Sequence, residues 1–335
     1  MRILVTGGAG YIGLHVVSAL RRQGHEVLIV DAHPGNAVGR FDGVPILTMD
    51  LTSSGIVDTL AREMAERGVE AVMHFAARKQ VAESVARPAW YYSQNVGGLA
   101  NLLLSMEAAA VTRLVFSSSA AVYGSADGAH IDESVAPEPI NPYGESKLAG
   151  ERLVSASAAA FGLRAVSLRY FNVAGAASPD LGDPASLNLV PMVFERIVRG
   201  ESPLIFGADY ETPDGTCVRD YIHVADLADA HTAALGLLSD AGPGNTILNV
   251  GTGIGTSVRE IVTRALEVTG STLTPIVTGR RPGDPAYVVA SVKRIAEVLG
   301  WRASRGVDDM VESAWAAFRA REYVEGQSAG RSLVE

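Results

Sequence analysis

The sequence has a single cysteine, Cys217, among 335 residues. No intrachain disulfide can form, and a reducing compartment fits. No uninterrupted apolar run approaches the roughly 20 residues of a membrane helix. The opening run, MRILVTGG, is too short for a secretory signal and reads as a strand. Basic charge is also scarce: 28 Lys and Arg stand against 37 Asp and Glu, for a formal net charge of −9. That balance argues against broad contact with nucleic acid, although a locally positive pocket can still take a small anion. The expectation is a soluble cytoplasmic protein with no nucleic-acid partner, no membrane partner and no metal site.

Apolar residues make up 47% and charged residues 19% of the chain, enough for a sizeable core. β-rich runs at 2–8, 25–31, 44–50, 71–77, 113–119 and 164–171 alternate with helical patterns, the first from about 11 to 23. Strands alternating with helices predict βαβ units and a parallel sheet covered on both faces. The fold class expected is α/β, a Rossmann-type doubly wound parallel sheet with a smaller C-terminal α/β substrate domain. Past about residue 172 the pattern changes: Gly, Pro and Asp become frequent, and helical segments near 190–199, 225–238, 257–269 and 291–299 are joined by short strands. The division expected is 1–172 for the first domain, with a strand and helix returning to it from about 225–252, and 173–335 for the second.

TGGAGYIG places Gly7, Gly10 and Gly13 at three-residue spacing between a strand and a helix. Small residues there let the backbone turn tightly and approach a pyrophosphate, which the helix N-terminus attracts. Asp31 ends the second run, 18 residues after Gly13. Its carboxylate suits a ribose diol and repels a 2′-phosphate, and Ala32 and His33 supply no arginine clamp, so NAD is expected rather than NADP. Asp50, at the end of the third run, is placed where an adenine would lie.

FSSSAAVYG precedes NPYGESK, which sets Tyr143 four residues before Lys147. On a helix the two share one face, and Pro142 suits the first turn. A free phenol has a pKa of roughly 10, and bringing it to about 7 takes about 4 kcal/mol of differential interaction. The Lys147 ammonium together with a nicotinamide cation in a desolvated cleft is the expected source. Ser119 is expected to relay the proton or orient a substrate hydroxyl. The chemistry is removal of an alcohol proton with hydride passing to NAD.

TGGAGYIG, HFAA, FSSSAAVYG, NPYGESKL, LRYFNVAGA and TCVRDYIHVADLADAH together resemble the extended short-chain dehydrogenase/reductase family, in its branch of UDP-hexose 4-epimerases. The resemblance runs from Met1 to about Trp301. It implies tightly held NAD, UDP-glucose and UDP-galactose as substrates, inversion at C4 without net oxidation, and a homodimer paired partly through the helix that carries Tyr143. Ser119, Tyr143 and Lys147 would be the catalytic set. Tyr11 and Ile12 would touch the pyrophosphate, Asp31 the adenosine ribose, and Asp50 and Leu51 the adenine end. Phe75, Ala76, Ala77, Lys79 and Ser117 would line the cofactor, with Tyr170 and Phe171 near the nicotinamide. Gln94 or Asn95 would serve where such enzymes often have Asn. For the sugar nucleotide, Arg219 and Arg281 would bind the diphosphate, Asn172, Asn188 and Leu189 the sugar or phosphate, Phe206 the uracil and Asp284 the ribose. Lys79, Ser119 and Tyr143 would also meet the sugar, and Tyr287 would limit its size, favouring glucose and galactose over N-acetylated sugars.

The sequence also departs from that pattern. Ala121 replaces a threonine near the sugar, Ala32 replaces an Asn after Asp31, and GDPAY is one residue shorter than in some relatives. A 4,6-dehydratase needs an acidic pair beside the catalytic hydroxyl, and Ala120, Ala121 and Val122 offer none. A simple reductase, a 4-epimerase of UDP-glucuronate, UDP-xylose or a UDP-N-acetylhexosamine, and a non-catalytic NAD-dependent sensor stay as alternatives. The retained Tyr143 and Lys147 count against the last.

Overall fold

The computed structural model describes residues 1–126, 130–185, 187–239, 241–281 and 283–331. The first part of the chain runs β1 (Arg2–Thr6), α1 (Tyr11–Arg22), β2 (Glu26–Asp31), β3 (Ile46–Thr48), α2 (Ile56–Glu66), β4 (Ala71–His74), α3 (Val81–Ala86), α4 (Pro88–Tyr92), α5 (Gly98–Ala108), β5 (Arg113–Ser117), α6 (Pro142–Phe161) and β6 (Arg164–Tyr170). Then follow β7 (Asn172–Ala174), α7 (Leu189–Val198), β8 (Leu204–Phe206), β9 (Val218–His223), α8 (Val224–Leu237), β10 (Gly244–Val250), β11 (Gly255–Ser257), α9 (Val258–Thr269), β12 (Ile276–Thr278), β13 (Tyr287–Val288), α10 (Lys293–Leu299) and α11 (Val307–Arg331).

Seven strands form one parallel sheet in the order β10-β6-β5-β4-β1-β2-β3. Successive side chains of a strand face opposite sides, and the sequence exploits this. Ile3, Val5 and Ile29 join α1 and α8 residues such as Val17, Leu20, Leu227 and Ala230 in one core. Leu4, Leu28 and Val30 join Leu60, Met64, Leu102, Leu103 and Val154 from α2, α5 and α6 in the other. Helices thus cover both faces, as the near-continuous apolar strands require. The order reverses between β1 and β4, which opens a crevice at the carboxyl ends of the strands, where ligands bind in such sheets.

The later elements form a smaller layer. β9 is the hub of a four-stranded sheet, with β11 and β13 beside it and β7 also paired to it, while β8 and β12 form a separate pair. A third core, including Phe194, Ile205, Tyr221, Ile261 and Val311, joins α7, α9 and α11 to these strands. Among the described residues, no helix is long and apolar enough to cross a membrane.

Candidate active site

Two clefts meet at the N-terminus of α1. The first, about 220 Å³, is lined by Gly7, Gly10, Asp31, Asp50, Leu51, Phe75, Ala76, Ala77, Arg78 and Gln94, among others. Gly7 has φ 68, a left-handed turn, and a Cβ there would sit 2.5 Å from Ala76 N. Gly13 is buried behind the turn, where a side chain would strike the Gly7 carbonyl. Gly10 caps α1 without a side-chain acceptor, so the first-turn N–H groups keep their capacity for an anion. The Asp31 carboxylate, at the strand end, accepts from Ala9 N at 3.0 Å and His33 N at 2.8 Å. Glycine backbone, open helix end and strand-end carboxylate in one cleft fit a dinucleotide.

β3 ends two residues early, so Asp50 sits in the turn beyond it rather than on the strand. Its carboxyl pKa is lowered, first by the Thr52 N–H and then by the Thr52 hydroxyl, both donating to it. Of the two amides at 94 and 95, only Gln94 is on the cleft wall. Asn95 is buried in a π-helical turn, Ser93–Gly97. Its side chain clamps the Arg78 N–H and carbonyl and donates to Ser146 Oγ at 2.9 Å. Arg78, which no sequence motif singled out, lines the cleft with its guanidinium 4.8 Å from the Trp90 ring centre.

The second cleft, about 670 Å³, is lined by Tyr11, Ile12, Lys79, Ser119, Tyr143, Tyr170, Phe171, Asn172, Asn188, Arg219, Arg281, Asp284 and Val288, among others. Asn141 caps α6, its Oδ1 accepting from Gly144 N at 2.9 Å, and Pro142 sets the first turn. A Cβ on Gly144 would lie 2.5 Å from the Ala121 carbonyl, so its absence lets α6 close on the turn at 120–123. That approach brings Tyr143 near Ser119, whose hydroxyl favours the ionised phenol. Ser119 lies past β5 and caps the short turn, accepting from Ala121 N at 3.2 Å.

Tyr143 and Lys147 are both buried, at 8% and 4% exposure, on one face of α6. Their electrostatics differ from the expectation. Burial raises the Tyr143 pKa, and the Ser119 hydrogen bond only offsets part of this. The Lys147 ammonium is turned to the Ser117 carbonyl, 2.8 Å away, rather than to the phenol. Burial brings the Lys147 pKa down to about 8, with Glu151 pulling the other way. The depressed phenol therefore is not supplied by the chain alone.

Several expected positions lie off the cleft walls or are already engaged by a partner. Ser117 is wholly buried, so its hydroxyl is not on the wall and its carbonyl carries its contribution. Phe206 is off the cleft wall, its ring covered by the Arg281 guanidinium 3.9 Å from its centre. Leu189 packs into the third core, and Asn188 donates to Asp183 Oδ2 at 2.6 Å. Asp284 is paired with Arg219, so its carboxylate is engaged. Tyr287 is a correction of register. In β13 it pairs with Val218, and its hydroxyl packs against Gly255. Val288 pairs with Arg219 and shares its face, so the valine reaches the cleft and the tyrosine does not.

A switch-point crevice holding a glycine turn, a strand-end acid and a buried Ser/Tyr/Lys group defines a dinucleotide-dependent enzyme that works on an alcohol. The chain belongs to the NAD dependent epimerase/dehydratase family, whose pattern matches residues 3–251. It is 44% identical over 333 residues to the UDP-glucose 4-epimerase of Azospirillum brasilense, covering 98% of this chain and 94% of that one. The solved UDP-glucose 4-epimerase of Stenotrophomonas maltophila, with bound NAD and formylated UDP-arabinopyranose, superposes with TM-score 0.91 at 38% identity, over 97% of this chain and 99% of that one. The UDP-Glc/GlcNAc 4-epimerase of Campylobacter jejuni gives TM-score 0.82 at 31% identity, over 95% and 99%.

Proposed function

We propose that this chain is an NAD-dependent 4-epimerase that interconverts UDP-glucose and UDP-galactose. One observation carries the reading: the Ser119–Tyr143 pair stands in a cleft bounded by Arg219 and Arg281, beside a second cleft built on Gly7, Gly10 and Asp31. Residues 1–172, with the helix and strand returning from about 225–252, hold the NAD, and residues 173–335 predominantly hold the UDP-sugar.

In this reading Gly10, Tyr11 and Ile12 bind the pyrophosphate, Asp31 the adenosine ribose, Asp50, Leu51 and Gln94 the adenine side, and Phe75, Ala76, Ala77, Tyr170 and Phe171 the nicotinamide side. NAD, when bound, supplies a reversible hydride acceptor for sugar C4 and a cation that favours phenolate at Tyr143. Tyr143 takes the proton of the 4-hydroxyl and later returns it, while Ser119 orients that oxygen. Lys147 supplies positive charge beside the phenol from its seat on the Ser117 carbonyl. Arg219 and Arg281 grip the diphosphate, because guanidinium pairs bidentately with phosphate oxygens. In doing so Arg219 exchanges its Asp284 partner for phosphate, and Phe206 acts as a platform for Arg281. A nucleotide held firmly and a sugar held loosely by Asn172, Asn188 and Lys79 permit the sugar to present either face.

A second reading rests on Val288. With a small side chain on the cleft wall in place of Tyr287, the site admits UDP-N-acetylhexosamines as well. We further propose a cytoplasmic homodimer that buries the outer faces of α5 and α6, where Leu104 is 51% exposed.

The test is to incubate the purified protein with UDP-galactose and resolve the sugar products. UDP-glucose without stoichiometric NADH release is expected. Net NADH, a 4-keto-6-deoxy sugar, or no turnover would defeat the reading. Light scattering on the same preparation reads the dimer.

A further inference from the structure

Three groups that reach the cofactor side from three strand ends share one buried neighbour, His231, in the middle of α8. It is 0% exposed. Its ring packs on Phe75 with centroids 4.8 Å apart and on Tyr170 at 6.3 Å. Its Nδ1 lies 2.8 Å from the Leu227 carbonyl, and its Nε2 lies 3.1 Å from Ser117 Oγ. A carbonyl only accepts, so Nδ1 carries the proton and Nε2 is a bare acceptor. Burial brings the imidazole pKa down to about 4, which keeps the ring neutral at working pH. The Ser117 hydroxyl therefore donates to His231.

We propose that His231 is a positioning residue of the catalytic centre: its locked tautomer fixes the Ser117 hydroxyl, and through Ser117 it fixes the carbonyl that seats Lys147, while its ring backs Phe75 and Tyr170. The donors run one way around the ring: the Ser117 hydroxyl gives to Nε2, and Nδ1–H gives to the Leu227 carbonyl. The Lys147 ammonium is held at 2.8 Å from a peptide whose side chain cannot turn. This inference deepens the epimerase reading and rests on it. It also gives α8, which follows the strand bearing Arg219, a part in the chemistry that no motif in the first domain shows.

The experiment uses the full chain with UDP-galactose. Losing one buried hydrogen bond of this kind lowers kcat by about tenfold. His231→Leu should show that loss with KM nearly unchanged, and His231→Gln, which keeps an acceptor for Ser117, should recover most of it. Ser117→Ala removes the same bond from the other side, and the double variant His231→Leu with Ser117→Ala should lose no more than either alone. Wild-type kcat in His231→Leu, equal losses in the Leu and Gln variants, or additive losses in the pair would each overturn the proposal. Nitrogen-15 NMR of the wild-type chain reads the tautomer independently of turnover. A protonated Nδ1 that persists to pH 5 upholds the lock even if UDP-galactose is not the substrate. A protonated Nε2 overturns it even if UDP-galactose is.

Discussion

The two clefts that meet at α1 are made of different materials. The first is largely backbone: a glycine turn at Gly7, an uncapped helix end at Gly10 and peptide groups around Asp31. The second is largely side chains, with Arg219 and Asp284 paired across it and Arg281 stacked on Phe206. A backbone site is rigid and tolerates little change, whereas a side-chain site can exchange one partner for another. That difference matches a cofactor held in one place and a sugar that must turn over.

Breaking the chemistry at the junction should have the largest effect. Tyr143→Phe removes the proton acceptor and is expected to cut kcat by about 10²–10⁴-fold while NAD stays bound. Turnover with UDP-galactose and the absorbance ratio of the purified protein read the two quantities. Loss of NAD with the tyrosine would move it from the chemistry into the first cleft. Arg219→Ala tests the second cleft by itself. Removing a charge-assisted contact raises KM for the UDP-sugar by tens-fold, about 1.5–3 kcal/mol. NAD content and the acid–base step should be unchanged, and an equal loss of NAD would erase the distinction between the clefts.

The pH dependence of stability sharpens the same comparison. Burial brings the pKa of His15 and His223 down to about 4, of His74 to about 3 and of His231 to about 4. An unfolded histidine titrates near 6.5. Below that pH the unfolded chain binds protons that the native chain refuses. The contribution of these rings to stability is therefore complete above about pH 6.5 and is lost as pH falls toward about 4. His74 and His231 lie under the first cleft. His15 and His223 lie at the seam between the layers, where His15 Nε2 accepts from Ala177 N at 3.1 Å and His223 reaches Ser313 Oγ at 3.1 Å. Urea unfolding from pH 7.5 to 4.5 should show stability falling with pH, and His15→Gln should remove up to about 1.4 kcal/mol per pH unit from that slope. An unchanged slope would show that the seam opens before His15 takes its proton.

What could be read from the residues alone follows the same division. The seven-stranded sheet, the glycine turn, Asp31 and the Tyr143–Lys147 face all rest on local rules: alternation, helical spacing and the small residues a turn demands. Asn95 was legible as a candidate but not as a buried clamp on Arg78, because the π-helical turn that buries it has no spacing signal. The pKa of Tyr143 was not legible, since it depends on where the Lys147 ammonium points and how deeply both are enclosed. His231 stayed hidden because a histidine in a helix shows its partners only once β4, β5 and β6 are laid beside α8. In the second cleft a shortened loop weakened the register that placed Tyr287 beside the sugar, and Val288 stands on the wall instead.

That exchange supports the finest test. Neighbouring residues of a strand face opposite sides, so only one of the two positions can touch the sugar. If Val288 is on the wall, Tyr287→Val leaves the ratio of kcat/KM for UDP-galactose over UDP-N-acetylgalactosamine where it was. Val288→Tyr then narrows the site where an N-acetyl group would lie. The ratio should rise in favour of UDP-galactose by about tenfold, the scale on which a crowded pocket discriminates small groups. The opposite pattern, with selectivity moved by Tyr287 and not by Val288, would shift β13 by one residue against β9. Arg219 would then face a different side chain, and the pairing with Val288 that defines this wall would have to be redrawn.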